Sequence, residues 1–366
     1  MVSDPLGDNL RSRHIPALDG LRFIAVFAVM GYHFFDGVFP AGQGVTLFFV
    51  LSGLLITWLM IGERERTGGV NLRAFYWRRT LRIFPAFGVY WLAAVALLIA
   101  SGNAVPWAHA IASAAYVGNY YVALNDYPQN FFSHAWSLGV EEQYYLLFPM
   151  LFVSVASRRT MIGVLSAVIA AVAAWRCVLV FGWEAPDAYL YAAFDTRCDA
   201  LLVGALAAVV LADRGACRRI GGWLARGWVP AAAVAGLALS IYAMPSFVDD
   251  WRNIGGLAVE PWLLLTLILA AVAGAGHTAW TRPLLWRPVV WFGVISYPLY
   301  LYQQLMIYPV KRLLEGWPTP VVFAAACVAT VVAAAGSYYV VERPFLKLKK
   351  WGPGAAVSRP PAAATQ

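Results

Sequence analysis

The sequence predicts an all-α integral membrane protein, a bundle of about ten transmembrane helices with both termini on the cytoplasmic side. Three observations lead to this fold class. Hydrophobic residue types make up 61% of the 366 residues, whereas a typical soluble domain has roughly 45–50%. Charged residues make up only 13%, about half the usual quarter. The apolar residues gather into runs, most of which reach the roughly 20 residues that a helix needs to cross a bilayer.

The chain begins with a polar segment of about twenty residues. The apolar run that follows is too long for a cleavable signal peptide and lacks a small-residue cleavage site. We therefore expect a signal-anchor helix first. The predicted spans, in chain order, are 21–38, 44–62, 84–101, 139–157, 160–181, 199–212, 228–245, 256–276, 289–309 and 319–341. The run 199–212 is short, and the semi-apolar stretch 106–123 is ambiguous because it contains Pro106, His109 and several tyrosines.

Arginine and lysine clusters set the orientation, because cytoplasmic loops carry an excess of both. The clusters lie within 63–82, 158–159, 214–226, 282–287 and 347–350. Two cytoplasmic clusters must be separated by an even number of crossings, so the stretch 102–138 is predicted to lie outside or to form a re-entrant segment. The predicted domains are a membrane-embedded domain over 1–345 and a disordered cytoplasmic tail over 346–366, rich in Pro and Ala.

The sequence contains no motif for metal binding or redox chemistry. None of the four cysteines forms a Cys-x-x-Cys pair, and no two of the five histidines have metal-ligand spacing on a helix. We therefore expect no metal. The net charge of +8 is interpreted as loop charge of a membrane protein, and no nucleic-acid partner is expected.

The first predicted span contains two ionisable residues, Arg22 and His33, eleven positions apart. This separation is about 20° past three helical turns, so both side chains share one face, roughly 16 Å apart along the axis. Asp19 lies near that face and could cap the helix or pair with Arg22. A helix starting near residue 21 would place His33 about 18 Å into the span, where an ionisable group indicates a functional site. Alternatively, a neighbouring helix satisfies His33, and Arg22 reaches back to the interface.

Two further groups of polar residues each have two interpretations. Arg79 and Arg82, next to Arg78, are three positions apart and project from one helix face. They either follow the positive-inside rule or form a clamp for phosphate groups. In HAWSLGVEEQYYLLFP, Ser137 is a candidate N-cap that precedes the Glu141–Glu142 pair. These carboxylates are either solvated, or they orient a base or bind a hydroxyl-rich ligand.

The segment RHIPALDGLRFIAVFAVMGYHFF closely resembles the opening of acyltransferase family three, a family of integral membrane O-acyltransferases, and the Arg22–His33 spacing matches its arginine–histidine motif. Six further blocks follow in the family's order and extend the resemblance over about 15–345. They are GVTLFFVLSGLLIT, FYWRRTLRIFP, HAWSLGVEEQYYLLFP, DTRCDALLVGALAA, ISYPLYLYQQ and VERPF.

The resemblance implies transfer of an acyl group, often acetyl, from acyl-CoA to a hydroxyl of a carbohydrate-containing acceptor. The acceptor would be a surface glycan, a glycolipid or a glycosylated natural product, and the location a bacterial cytoplasmic membrane. The implied site residues fall into three groups. The catalytic candidates are His33, Arg22, Asp19, Glu141 and Glu142; the donor-binding candidates are Arg78, Arg79 and Arg82; the substrate-binding candidates are Ser137, Tyr302 and Gln303.

One departure from the family pattern concerns the acceptor. Many members carry a histidine after the SYPLYLY block, where this chain has Gln303 and Gln304. Acceptor choice is therefore expected to differ, whereas the assignment of His33 is unaffected. Some members also carry a hydrolase-like domain after the last helix, and none is expected in the short stretch that follows residue 341.

His33 has two possible roles, as a general base that activates the acceptor hydroxyl or as a relay that takes the acyl group itself. The CoA phosphates would bind the arginines, and the pantetheine arm would follow the Arg22–His33 face. The alternative from another class is a transporter or flippase of a glycoconjugate or an acyl-bearing metabolite. Transporters more often show paired halves with broken helices, and this sequence shows no internal repeat. A structural scaffold would leave Arg22, His33 and the ordered blocks unexplained.

Overall fold

The computed structural model describes residues 4–12, 14–35, 39–248 and 250–353, and within these residues the ordered elements are all helical. Most are α-helices, and short 3₁₀ and π-helical segments lie between them. The α-helices, in chain order, are α1 (Pro5–Arg11), α2 (Pro16–Phe34), α3 (Ala41–Thr67), α4 (Leu72–Ala100), α5 (Trp107–Ala114), α6 (Gly118–Leu124), α7 (Trp136–Ser154), α8 (Arg158–Phe181), α9 (Asp187–Ala192), α10 (Phe194–Leu211), α11 (Arg214–Leu224), α12 (Trp228–Ala238), α13 (Leu257–Gly274), α14 (Arg287–Val294), α15 (Ser296–Leu313), α16 (Thr319–Ser337) and α17 (Arg343–Lys347).

Seven helices of the described residues are long and apolar enough to cross a membrane. A further pair, Asp187–Leu211 (α9 with α10) and Arg214–Leu224 (α11), meets the same criteria together but bends by 114° at the break between them, as a broken span or a re-entrant loop does. Helices α7 and α15, which overlap the predicted spans 139–157 and 289–309, are not among these. The all-helical membrane fold is thus confirmed, while the count of ten spans and the side of each terminus stay predictions. The seven are Pro16–Phe34, Ala41–Thr67, Leu72–Ala100, Arg158–Phe181, Trp228–Ser246, Arg252–Ala273 and Thr319–Trp351.

The first membrane helix starts and ends earlier than the sequence prediction of 21–38. Helix α2 begins at Pro16, because proline suits the first helical position, where its missing N–H costs nothing. It ends at Phe34, and the backbone N–H of Phe35 closes it on the carbonyl of Gly31 at 2.8 Å. The predicted residues 36–38 lie outside the described part of the chain. His33 is therefore in the last turn of α2, about 26 Å along the axis from Pro16.

The stretch 106–123 forms two short helices, α5 and α6, each too short to cross a bilayer. They meet at Tyr116, whose φ of 56° lies in the left-handed region that non-glycine residues seldom adopt. The Tyr116 carbonyl accepts a hydrogen bond of 2.9 Å from the side-chain amide of Gln143 in α7. This contact with a helix holds the turn in its unusual conformation.

The predicted disordered tail, 346–366, starts too early. Helix α17 continues to Lys347, and a 3₁₀ turn follows over Leu348–Trp351. The cause is packing, because Gly352 lies so close to the Trp77 indole that an added Cβ would overlap the ring. The remaining residues of that prediction, 354–366, lie outside the described part of the chain.

The chain divides into two units, each assembled from two separate segments. Unit 1 contains residues 1–66 and 107–296. Unit 2 contains residues 67–106 and 297–366. This grouping places the first-helix residues and the acidic pair in unit 1, and it places the arginine cluster with Tyr302 and Gln303 in unit 2.

Glycines allow the helices of unit 1 to approach very closely. A Cβ added at Gly53 of α3 would overlap the Leu201 carbonyl, and one added at Gly204 of α10 would overlap the Val50 carbonyl. The two helices thus cross with backbone against backbone, as small residues permit in membrane proteins. Gly293 of α14 allows the same close approach to α2.

In unit 2, α4 packs against the C-terminal helical segments from residue 338 to residue 351. Pro85 interrupts the hydrogen-bond ladder of α4, and the Tyr297 hydroxyl donates to the nearby Ile83 carbonyl at 3.0 Å. Tyr90 is fully buried, with its ring edge-on to that of Tyr302 at 5.7 Å. These contacts fix the helix that carries the arginine cluster.

Candidate active site

His33 is half-buried at the C-terminal end of α2. The ring of Tyr32 lies edge-on to its imidazole, with 5.5 Å between the ring centres. The helix is held against α14 through the stacked rings of Phe23 and Phe292, 5.2 Å apart. The imidazole is thus carried by a packed helix near a point where the chain leaves helical structure.

Arg22 belongs to a series of linked polar side chains at the other end of α2. Asp19 is 5% exposed, and one of its oxygens accepts a hydrogen bond of 2.9 Å from Arg22. The other oxygen lies 2.7 Å from Nε2 of His14. Of the two roles expected for Asp19, the structure therefore has the ion pair, since α2 begins three residues earlier, at Pro16.

Arg22 and His33 share a helix face but act at different depths. Eleven residues of helix separate their Cα atoms by about 16 Å, which exceeds the combined reach of the two side chains. Arg22 is also turned into its ion pair with Asp19. A direct Arg22–His33 contact is therefore no part of this site.

The acidic pair lies on α7, and its residues are half-buried. Glu141 accepts a hydrogen bond of 2.9 Å from the Ser52 hydroxyl of α3, so it is not merely a solvated surface carboxylate. Glu142 lies close to Tyr116, and burial together with this carboxylate raises the pKa of the Tyr116 phenol. The phenol thus stays protonated beside Glu142. Glu141 and Glu142 face α3 and the α5–α6 turn respectively.

Ser137 does not cap α7, contrary to the sequence prediction. A 3₁₀ turn over Ser133–Ala135 leads directly into the helix, which begins at Trp136 with Ala135 as its N-cap. Ser137 therefore lies inside the first turn, 7% exposed, with its hydroxyl 3.5 Å from the His134 carbonyl. Its assignment to substrate binding stays a prediction.

A buried arginine in unit 1 escaped the sequence analysis. Arg197 of α10 is 2% exposed and donates to the Thr46 hydroxyl at 3.0 Å. Its guanidinium lies 5.1 Å from the ring centre of Tyr191 and 5.6 Å from that of Trp136. Aromatic faces and one hydroxyl thus hold a full positive charge inside the helical bundle.

Further buried charges surround it. Arg176 of α8, which is fully buried, pairs with Asp199 of α10 at 2.7 Å. Asp195 accepts hydrogen bonds from the Trp175 indole at 2.8 Å and from the Tyr120 hydroxyl at 3.0 Å. A usable signal existed, because ionisable residues in or beside predicted spans indicate polar sites. Above, only the ionisable residues of the first span were interpreted in this way.

Glu260 of α13 adds a carboxylate to this interior. It is 6% exposed and accepts hydrogen bonds from Gln43 at 2.9 Å and from Ser240 at 2.8 Å. Tyr191 lies close enough to Glu260 and to Tyr32 for a direct electrostatic interaction. Because Tyr32 neighbours His33 in sequence and contacts its ring, this polar interior extends towards the end of α2.

Unit 2 carries the arginine cluster on α4. Arg78, Arg79 and Arg82 fall within an arc of about 100° on the helix, and each is half-buried. The Arg79 guanidinium lies 5.7 Å from the centre of the Phe75 ring one turn earlier. Guanidinium groups in general bind phosphate in a bidentate manner, and phosphate binding by these three arginines stays a prediction.

Tyr302 and Gln303 belong to α15 of unit 2, and both are buried. Tyr302 is 6% exposed, and Gln303 is fully buried. Neither polar atom of the Gln303 amide has a hydrogen-bond partner among the described residues. Their role in acceptor binding stays a prediction.

Among the described residues, no group of three or more His, Cys, Asp or Glu side chains is arranged to hold a metal ion.

The sequence model of the family described as "Acyltransferase domain" matches residues 15–339. "O-acetyltransferase OatA" of Staphylococcus aureus strain NCTC 8325 is 30% identical over 353 aligned positions, covering 92% of this chain and 58% of the relative. "Putative O-acetyltransferase SACOL0978" of strain COL is 29% identical over 381 positions, covering 94% of this chain and 60% of the relative.

This chain therefore spans about 60% of the length of the curated relatives that it matches. No solved structure matches it significantly. The family match extends from the residue before α2 into the last turns before residue 340, and so takes in the Arg22–His33 face, the acidic pair and the arginine cluster. The chain belongs to acyltransferase family three.

Proposed function

We propose that this protein is a membrane O-acyltransferase that moves a short acyl group, most simply acetyl, from acyl-CoA to a hydroxyl of a carbohydrate-containing acceptor. Membership of the acyltransferase family supports the reaction class, and the names of the relatives support an acetyl group and an oxygen acceptor. The observation that carries the proposal is His33, half-buried at the end of a packed membrane helix and preceded on the same face by the Asp19–Arg22 ion pair.

In the direct mechanism, His33 acts as a general base. Its neutral nitrogen takes the proton of the acceptor hydroxyl while the oxygen attacks the thioester carbonyl. The tetrahedral intermediate then loses the CoA thiolate, which receives the proton from the imidazolium. One C–O bond forms, one C–S bond breaks, and the histidine returns to its neutral state.

In the relay mechanism, His33 attacks the thioester itself. The C–S bond breaks, the imidazole N–H proton passes to the departing thiolate, and CoA leaves as the thiol while a neutral acyl-imidazole remains. The acceptor oxygen then attacks this acyl group, the C–N bond breaks, and the hydroxyl proton passes to the imidazole, which regains its neutral N–H form. The position of His33, about 26 Å along α2 from its first residue, favours this route if donor and acceptor approach from opposite ends of the helix, because the charged nucleotide then need not cross.

The other candidate residues are proposed to position groups or to bind the substrates. The Asp19–Arg22 pair fixes a cation on the face that leads to His33. Glu141 and Glu142 are proposed to orient the base or to bind acceptor hydroxyls. Arg78, Arg79 and Arg82 of unit 2 are proposed to bind the donor phosphates.

The test compares host cells that make the parent protein with cells that make His33→Ala at equal membrane abundance. Mass spectrometry of lipids, surface glycans and small glycosides should show one species that lacks a single acyl mass in the variant. His277→Ala is the matched control, since His277 is exposed and outside the candidate site. Unchanged acylation in every fraction of the His33→Ala cells would contradict the proposal and favour transport.

The two mechanisms separate in a second experiment on the purified full chain. Labelled acetyl-CoA is added without acceptor, the reaction is quenched, and the peptide containing His33 is analysed for an added acetyl group. Label on His33 supports the relay. Label absent from His33, together with CoA release only when both substrates are present, supports the general base.

A further inference from the structure

Lys349 lies beside the arginine cluster of α4, within unit 2. It follows α17 in the 3₁₀ turn Leu348–Trp351, and it is half-buried, whereas Lys347 and Lys350 of the same segment are exposed. Its ammonium group lies close enough to Arg82, Arg79 and Arg78 for a direct electrostatic interaction. One lysine of three is thus turned towards the cluster.

The fold holds Lys349 in this position. Helix α17 and the turn after it both pack against α4. Gly352 contacts the indole of Trp77, the residue immediately before Arg78, so closely that no larger residue fits there. The backbone on both sides of Lys349 is therefore fixed against the helix that carries the arginines.

The charges around Lys349 are unusual for a half-buried place. Among the described residues, the charged side chains that interact with it are three arginines. A nearby carboxylate, Glu342, is 4% exposed and interacts with Arg82. Several cationic groups close together destabilise a folded protein, because they repel one another. They also raise the local concentration of anions.

The chemistry of the four side chains selects among anions. Guanidinium groups bind phosphate oxygens in pairs, and an ammonium group binds phosphate as a point charge. A ligand with several phosphates can engage all four cations at once. The nucleotide end of CoA carries a diphosphate and a 3′-phosphate, whereas a phospholipid headgroup offers a single phosphate diester.

We propose that Lys349 completes, with Arg78, Arg79 and Arg82, a four-cation site for the phosphates of the acyl donor. This inference rests on the proposed function, because it deepens the donor assignment of the arginine cluster. It assigns donor affinity to a residue beyond the region that matches the family, residues 15–339.

Binding of acetyl-CoA to the full chain in phospholipid-free micelles tests this inference, with 3′,5′-ADP as competitor. Loss of a charge-assisted contact costs about 1.5–3 kcal/mol, so Lys349→Gln should weaken acetyl-CoA binding by roughly tenfold or more. Lys349→Arg should keep most of the affinity. Lys347→Gln and Lys350→Gln are matched controls, since they remove the same charge from the same segment, and they should change affinity by less than about twofold.

Each outcome has a defined meaning, provided that melting curves show all variants to be folded. Equal weakening by Lys349→Gln and Lys350→Gln overturns the role of Lys349 while leaving the donor assignment intact. A parent protein that shows no saturable acetyl-CoA binding overturns the donor assignment itself, and this site with it. Addition of phosphatidylglycerol tests the other source of phosphate. If Lys349→Gln weakens only phosphatidylglycerol binding, the site is a lipid site and the inference is wrong.

Discussion

His109 provides a prediction whose size follows directly from the structure. Its imidazole, in α5, is fully buried, stacked on the Tyr121 ring at 4.5 Å and 20°. Nδ1 lies 3.0 Å from the side-chain amide nitrogen of Asn130. An amide nitrogen can only donate, so Nδ1 accepts and the ring is neutral. Burial accordingly lowers the pKa of His109 from 6.5 to about 4.

The direction in which stability changes with pH follows from proton linkage. Between pH 6.5 and about 4, the unfolded chain binds a proton at His109 and the folded chain does not, so stability falls as the pH falls. The stabilisation that the folded protein gains from keeping His109 neutral is fully present above pH 6.5 and is lost by about pH 4. A pKa difference of about 2.5 corresponds to roughly 3 kcal/mol at 1.36 kcal/mol per unit. About 2 kcal/mol of this is already lost at pH 5.

The assay compares thermal unfolding of the parent and His109→Asn in detergent at pH 8, 6 and 5. The asparagine oxygen can still accept from Asn130, but it does not titrate, so the variant loses packing by the same amount at every pH. The stability difference between parent and variant should therefore shrink by about 2 kcal/mol from pH 8 to pH 5. Hydrogen exchange of residues 107–124 shows whether the opening is local. His277→Asn, at an exposed histidine, is the control. A difference that stays constant with pH would refute the reasoning.

Two other substitutions test the packing of the membrane helices. Gly53→Ala should lower stability by about 1–3 kcal/mol or prevent folding, because the new Cβ meets a backbone carbonyl. Gly88→Ala is the control, since no atom lies within 4 Å of a Cβ added there, and in a melting experiment it should be neutral or stabilising. Equal effects of the two substitutions would contradict the close crossing of α3 and α10. Gln303→Leu should raise stability by about 1–3 kcal/mol, because it removes a buried amide without partners. If Gln303 binds the acceptor, the same variant should lose kcat/KM for the acceptor, whereas a destabilised variant would show that the amide has a partner.

The sequence analysis anticipated the elements that depend on local pattern. Long apolar runs became helices, and the face shared by Arg22 and His33 follows from helical spacing alone. The start of α2 was also readable, because Pro16 is a helix-start signal that hydropathy does not register. The wrong assignment of Ser137 as a cap had a similar cause, since a preceding 3₁₀ turn moved the helix start to Trp136.

What the sequence could not supply are contacts between distant segments. Nothing local predicts that Arg197 finds the hydroxyl of Thr46, 151 residues away, or that Glu141 accepts from Ser52, 89 residues away. A charge in an apolar run predicts that some partner exists, because an unpaired buried charge is too costly. Identifying that partner requires the tertiary fold.

The assembly of each unit from two chain segments has a consequence for biosynthesis. Helix α4 belongs to unit 2, but its partners in that unit begin only at Tyr297, after the whole of residues 107–296 has been made. At a translation rate of about 5–20 residues per second, this is a delay of roughly 10–40 s. During that time α4 lacks its partners of unit 2. A ribosome that stalls just after residue 296 thus leaves an incomplete unit 2 as a substrate for membrane quality control, although every segment of unit 1 has by then been synthesised.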